Sequence, residues 1–139
     1  MAMVTKAQRE ALALALAFAR AGVTIAYLFG SRARGDHRET SDADVAILAD
    51  HRLGLLARER LANELASALG VPDVDVIVLD EVRLALRGRV LQEGQLLYSA
   101  DEPRRVEFEV RTRSEYFDFL PTLKAHADAY LRHVAAGGL

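Results

Sequence analysis

Residues 30–44 read Gly-Ser-Arg-Ala-Arg-Gly-Asp-His-Arg-Glu-Thr-Ser-Asp-Ala-Asp, and these residue types suit phosphate and metal chemistry. Asp42 and Asp44 are two apart. On a strand they would project from one face, roughly 6–7 Å apart along it. Two hard carboxylate ligands opposite a Gly-Ser turn suit a magnesium ion carrying a nucleoside triphosphate. The Gly30-Ser31 turn offers backbone N–H groups and a hydroxyl. Gly30 permits close backbone approach, and amides opening a short helix favour phosphate oxygens. Arg34 could neutralise phosphate or brace the loop, and Gly35 lets the chain turn back.

A third carboxylate stands in Val-Asp-Val-Ile-Val, residues 74–78, an otherwise apolar run. Buried in such a strand, ionised Asp75 would be costly unless paired or bound to metal. If this strand lies beside that of Asp42 and Asp44, the three carboxylates form one cluster. Two could hold the magnesium of the triphosphate. The third could hold a second metal and activate an attacking hydroxyl, the two-metal arrangement for in-line phosphoryl displacement.

Plainer readings compete at each position. An isolated Asp-x-Asp is usually a solvated strand start; the Gly-Ser turn upstream favours the metal site here. Asp75 could form a structural ion pair, and Asp73, two residues earlier, shares its face. Asp80 is expected to cap a helix, Ser31 could cap the short helix, and Ser41 suits a structural role in the turn. Arg32 is expected to be solvated. His37 and His51 fall in polar stretches, and His126 and His133 share a helix face without an evident third ligand, so no zinc site is expected.

The elements that must position these residues are legible as pattern. Thr5 and Gln8 form a capping box opening a helix that runs to about Arg20, with Gly22 beyond its end. Residues 23–29 are almost wholly apolar, as in a strand covered on both faces. Residues 30–40 are a polar turn or short helix and loop, and 41–48 a second strand. A helix over 53–69 stops at Gly70, a strand follows over 74–79, and a helix over about 81–93 ends at Gly94. Residues 95–98 suit a short edge strand. A helical pattern begins at residue 101, with Phe108, Tyr116, Phe117 and Phe119 as apolar anchors. Pro121 is expected to break or kink it before a last helix over 122–135. The aromatics fit a core first and a partner surface second, and the alternating charges of 104–115 fit a solvated helix face. The expected fold is α+β: a small mixed sheet with helices packed on it, one domain over 1–139 with a helical tail from about 101. Whether the first two strands pair antiparallel is not decided by spacing.

The string Gly30-Ser31-x-Ala33-Arg34-Gly35, then Ser41-Asp42-x-Asp44, resembles the signature of the DNA polymerase β-like nucleotidyltransferases. The chain is most similar to the minimal nucleotidyltransferase (MNT) group, the antitoxins found beside HEPN toxins. The Asp75 strand, the stretch over 90–98 and the helical tail are similar too, so the resemblance spans nearly the whole chain. It implies a polymerase β-like fold and AMP transfer from ATP to a tyrosine of a cognate HEPN toxin, silencing its RNase activity. By position it makes Asp42, Asp44 and Asp75 the metal ligands, with Asp75 also activating the acceptor hydroxyl. Gly30 and Ser31 would hold the triphosphate, with Arg34 in support. The implied cofactors are two Mg2+ ions with ATP as substrate. The implied partner is a HEPN-family protein, in a hetero-oligomer.

Bulk properties bound the alternatives. The 139 residues have 51% hydrophobic and 27% charged content, as in a globular domain. A net charge of −2 advertises no nucleic-acid surface, so direct nucleic-acid binding is not expected. The absence of cysteine excludes disulfides and thiolate zinc sites and is compatible with the cytoplasm. Neither a signal peptide nor a membrane span is expected. Residues 101–139 leave little room for an acceptor-binding domain, which favours an acceptor on a partner protein. The rival functions are an antitoxin that works by occlusion and a small-molecule, antibiotic-directed nucleotidyltransferase. The HEPN RNase role itself is set aside, because Arg132 directly precedes His133 without the needed spacing.

Overall fold

The computed structural model describes residues 3–35 and 42–137. Helix α1 (Lys6–Arg20) starts at the expected capping box: the Thr5 amide donates to Gln8 Oε1 at 2.9 Å and the Gln8 amide to Thr5 Oγ1 at 3.1 Å. Strand β1 (Val23–Phe29) follows, then the single-turn helix α2 (Ser31–Arg34) and strand β2 (Ala43–Ala49). Helix α3 (Leu55–Leu69) ends at Gly70, whose left-handed φ of 68° suits glycine. Strand β3 (Val74–Val78), a 3-10 turn (Leu79–Glu81), helix α4 (Leu84–Glu93), strand β4 (Gln95–Ser99) and helix α5 (Glu102–Ala135) complete the chain.

Among the described residues four strands form one sheet in the order β3-β2-β1-β4. β1 pairs antiparallel with both β2 and β4, whereas β2 and β3 run parallel, joined by α3. β1 is therefore interior, and its nearly continuous apolar sequence is what burial on both faces demands. One face carries Val23, Ala26, Val45, Ile47 and Val74 beneath Phe18 of α1 and Leu61 and Leu65 of α3. The other carries Ile25, Tyr27, Ala46 and Leu48 beneath Val90 and Leu91 of α4, with Phe108 of α5 against them. This mixed α+β sheet is the expected class.

Three expectations need correction. Asp80 lies inside the 3-10 turn and caps no helix; α4 instead opens at Arg83 without a side-chain cap. β2 begins at Ala43, so Asp42 stands just before the strand. Pro121 does not end a helix: α5 is one element of 34 residues, about 51 Å long at 1.5 Å per residue. Pro121 is exposed, so water can reach the carbonyl that loses its intrahelical donor. Tyr116 joins the core against α4, and an added side-chain carbon at Gly88 would run into its ring. Phe117, by contrast, is 56% exposed.

Candidate active site

The three strand ends nearest Gly30 meet at one end of the sheet. Phe29, the last residue of β1, pairs with Asp44, and Asp44 pairs with Asp75 across the parallel β2–β3 ladder. The alternation of side chains puts Asp44 with Ala46 and Asp75 with Ile77, on the face that α4 and α5 cover farther along. The two carboxylates thus share a face and a register. The start of the ladder is set by the Ala43 amide, which donates to the Asp73 carbonyl at 3.1 Å. Asp73 shares that face too, but its carboxylate accepts from the Val74 amide at 3.0 Å, a local strand-entry bond.

Gly30 explains how the turn approaches the acids. Its φ of 75° and ψ of −153° belong to a region open essentially to glycine alone. A side-chain carbon there would sit 2.5 Å from Asp44 Oδ2. The backbone of the turn is consequently laid against the Asp44 carboxylate. Gly30 is also the N-cap of α2, so Ser31 is its first helical residue rather than its cap. The Ser31 hydroxyl makes no hydrogen bond among the described residues. Gly35 closes α2 in the left-handed conformation at φ 79°.

Burial, then the charge of Asp75, then that of Asp42, push the Asp44 carboxyl above the usual carboxylate range. Asp75 and Asp42 therefore both act on Asp44 through space, though among the described residues no three metal-ligating side chains are grouped closely enough to hold an ion as they stand. This donor set of hard, mutually repelling oxygens fits a divalent cation such as Mg2+, whose charge would offset the repulsion. One part of the sequence argument fails. Asp75 is exposed, because β3 is an edge strand, so burial does not make its ionisation costly.

Arg34 lies 3.7 Å from Glu93, which is 3.8 Å from Arg89. Bracing is therefore at least part of what Arg34 does. Gln95 also reaches the turn, its amide donating to the Ala33 carbonyl at 2.9 Å. Sequence spacing carried no signal for either contact. Another was equally hidden: Tyr27 donates to Glu109 Oε1 at 2.7 Å, and Arg105 lies 3.0 Å from Glu109 Oε2. The helix face over 104–115 is thus only partly solvated. Ser41 and His37 lie outside the described residues, His51 contacts Asp50 at 2.5 Å, and His126 and His133 are exposed.

A small mixed sheet whose strand ends present paired aspartates to a Gly-Ser turn is the architecture of a polymerase β-like nucleotidyltransferase. The sequence model of the polymerase beta nucleotidyltransferase family matches residues 15–103, and the chain belongs to that family. It is 36% identical over 110 residues to protein adenylyltransferase MntA of Shewanella oneidensis, covering 79% of this chain and 78% of that protein. In structure it is similar to a chain of a toxin–antitoxin complex with AMP-PNP: TM-score 0.71, 30% identity, 87% of this chain and 98% of that one. A chain from the tri-AMPylated Shewanella oneidensis HEPN toxin in complex with MNT antitoxin gives 0.68 and 28%, covering 91% and 99%. The activity is nucleotidyl transfer, and the family implies a nucleotide substrate. No described helix is long and apolar enough to cross a membrane.

Proposed function

We propose that this chain transfers AMP from ATP to a tyrosine hydroxyl of a HEPN-family toxin and so acts as its antitoxin. The observation that carries the reading is the Asp44–Asp75 register with Gly30 laid against Asp44. The likeness to MntA and to a complex holding an AMPylated HEPN toxin supports the acceptor class.

Asp42, Asp44 and Asp75 would hold two Mg2+ ions, which when bound supply charge neutralisation for the triphosphate. The turn at Gly30 and Ser31 would receive phosphate oxygens on its amides and hydroxyl, with Arg34 supporting it. Asp75, exposed on the edge strand, would orient the incoming tyrosine and accept its proton. The tyrosine oxygen forms a bond to the α-phosphorus, the α–β phosphoanhydride bond breaks, and pyrophosphate leaves. The whole chain would work as one domain in the cytoplasm, where ATP and the toxin are both present.

A second reading, neutralisation by occlusion, is favoured by a different observation. The outer half of α5 exposes Tyr130 and Leu131, each 62% accessible, with Val134 at 42%. Such a surface could grip a toxin without chemistry. One experiment separates the two. The HEPN protein encoded beside this chain is incubated with labelled ATP, Mg2+ and either the wild type or Asp42→Ala/Asp44→Ala. Label on toxin tyrosine with the wild type alone, and loss of protection with the variant despite retained complex, supports transfer. Full protection by the unlabelled, variant-bound complex supports occlusion.

A further inference from the structure

The turn that faces Asp44 is held from behind by a segment that none of the catalytic chemistry uses. A single-turn helix leaves its last carbonyls without intrahelical donors, and α2 is only four residues long. The Gln95 side-chain amide supplies a donor to one of them, the Ala33 carbonyl, at 2.9 Å. Two residues earlier, Glu93 lies 3.7 Å from Arg34, the last residue of α2. Between them Gly94 lets the α4–β4 connection press onto the end of β1. A side-chain carbon there would run into the Val90 carbonyl and come within 3.1 Å of the Leu28 carbonyl. Gln95 is also the register partner of Leu28, two residues before Gly30. The clamp is therefore anchored to the same strand that delivers the turn.

We propose that Gln95, seconded by Glu93, is a positioning residue that sets the affinity of the Gly30-Ser31 turn for the nucleotide triphosphate. The inference rests on the nucleotide-binding reading of that turn. Gln95 touches neither carboxylate nor reacting atom; it fixes the far end of α2, so that the amides at its near end stay aimed beside Asp44. The connection carries this role because β4 is an edge strand, whose first side chain is free to reach over the turn rather than into the core.

The test uses AMP-PNP with MgCl2 on the full chain, measured by calorimetry, beside transfer kinetics with the toxin. Gln95→Glu keeps the side chain's length but presents acceptors to the Ala33 carbonyl, and Gln95→Ala removes the group. Loss of one such bond should weaken AMP-PNP binding and raise KM for ATP by about 3- to 10-fold. The kcat should stay within about 2-fold and the melting temperature should not move, because the bond is exposed. Gln95→Lys, which restores a donor, should recover most of the affinity. Gln92→Ala, an exposed neighbour on α4, should match the wild type. Equal binding by wild type and Gln95→Glu overturns the proposal, as does a loss that follows a fall in melting temperature or that Gln95→Lys fails to rescue. A wild type that binds no AMP-PNP instead overturns the nucleotide reading of the site, and the clamp with it.

Discussion

Two carboxylate clusters sit on the same face of the sheet and are treated in opposite ways. Glu109 is completed by the protein itself. It accepts the Tyr27 hydroxyl, with Arg105 at 3.0 Å and Arg113 at 3.6 Å, and its side chain is 13% exposed. Burial and the Glu109 hydrogen bond and charge push the Tyr27 phenol far above its ordinary range, so it stays protonated and donating. Asp44 has the reverse setting. Among the described residues the charges acting on it are those of Asp75 and Asp42, and its carboxyl is raised by burial and by both. The first cluster is an internal fastening of α5 to β1. Among the described residues the charges that raise the second are those of its own acids, the setting that the proposed cation and polyphosphate would relieve, whereas the first only has to hold the fold.

The comparison can be broken most directly at the aspartates. Asp44→Asn should reduce transfer by at least about 100-fold, as measured by labelled AMP on the toxin, because an anionic ligand to the divalent cation that neutralises the triphosphate is lost. The same variant should not weaken the metal-free fold. A carboxyl whose folded pKa is raised binds its proton more tightly folded than unfolded. The contribution of Asp44 to stability in EDTA should therefore fall as pH rises from its unfolded pKa to its folded one and level off above it, opposite in sign to that of Glu102, whose carboxyl is lowered. Asp44→Asn should remove that contribution, so the wild type should lose stability relative to the variant as pH rises, and thermal melts of both from pH 3 to 8 would reveal it. A variant less stable than wild type at neutral pH in EDTA would contradict the account of Asp44 as a crowded charge.

At the other cluster the expected loss is structural. Glu109→Ala leaves a buried phenol and two guanidinium groups without their shared acceptor and should cost about 2–3 kcal/mol in urea unfolding. Tyr27→Phe, which removes only the donor, should cost about 1 kcal/mol. Transfer per folded molecule should be retained in Tyr27→Phe. Gly30→Ala joins the two kinds of effect: the strained backbone should cost about 1–3 kcal/mol, and transfer should fall as well. The smallest effect concerns the cation. Mg2+ should raise the melting temperature of the wild type at neutral pH by mass action and leave Asp44→Asn nearly unmoved.

The Gly30–Ser31 turn and the Asp42–Asp44 pair were legible in the sequence because they are local. A turn, a spacing of two and a flanking apolar run specify them, and the same holds for the α1 capping box and for β1. The sequence overreached at Asp75: an apolar run reads as a buried strand, but an edge strand leaves its end open to solvent. It also misjudged Pro121, since the penalty of a proline inside a helix depends on whether the freed carbonyl meets water, and exposure is not a local property.

What the sequence by itself determined is the chemistry on offer: a phosphate-suited turn, three carboxylates and strands to carry them. Only the tertiary structure decided their company. The parallel β2–β3 register sets Asp44 opposite Asp75. Tyr27 and Glu109 meet across 82 residues, and Gln95 and Ala33 across 62. Contacts so far apart in the chain leave no periodicity to read. They follow from which faces of the helices and sheet pack together, and burial of apolar surface makes that choice for the molecule as a whole.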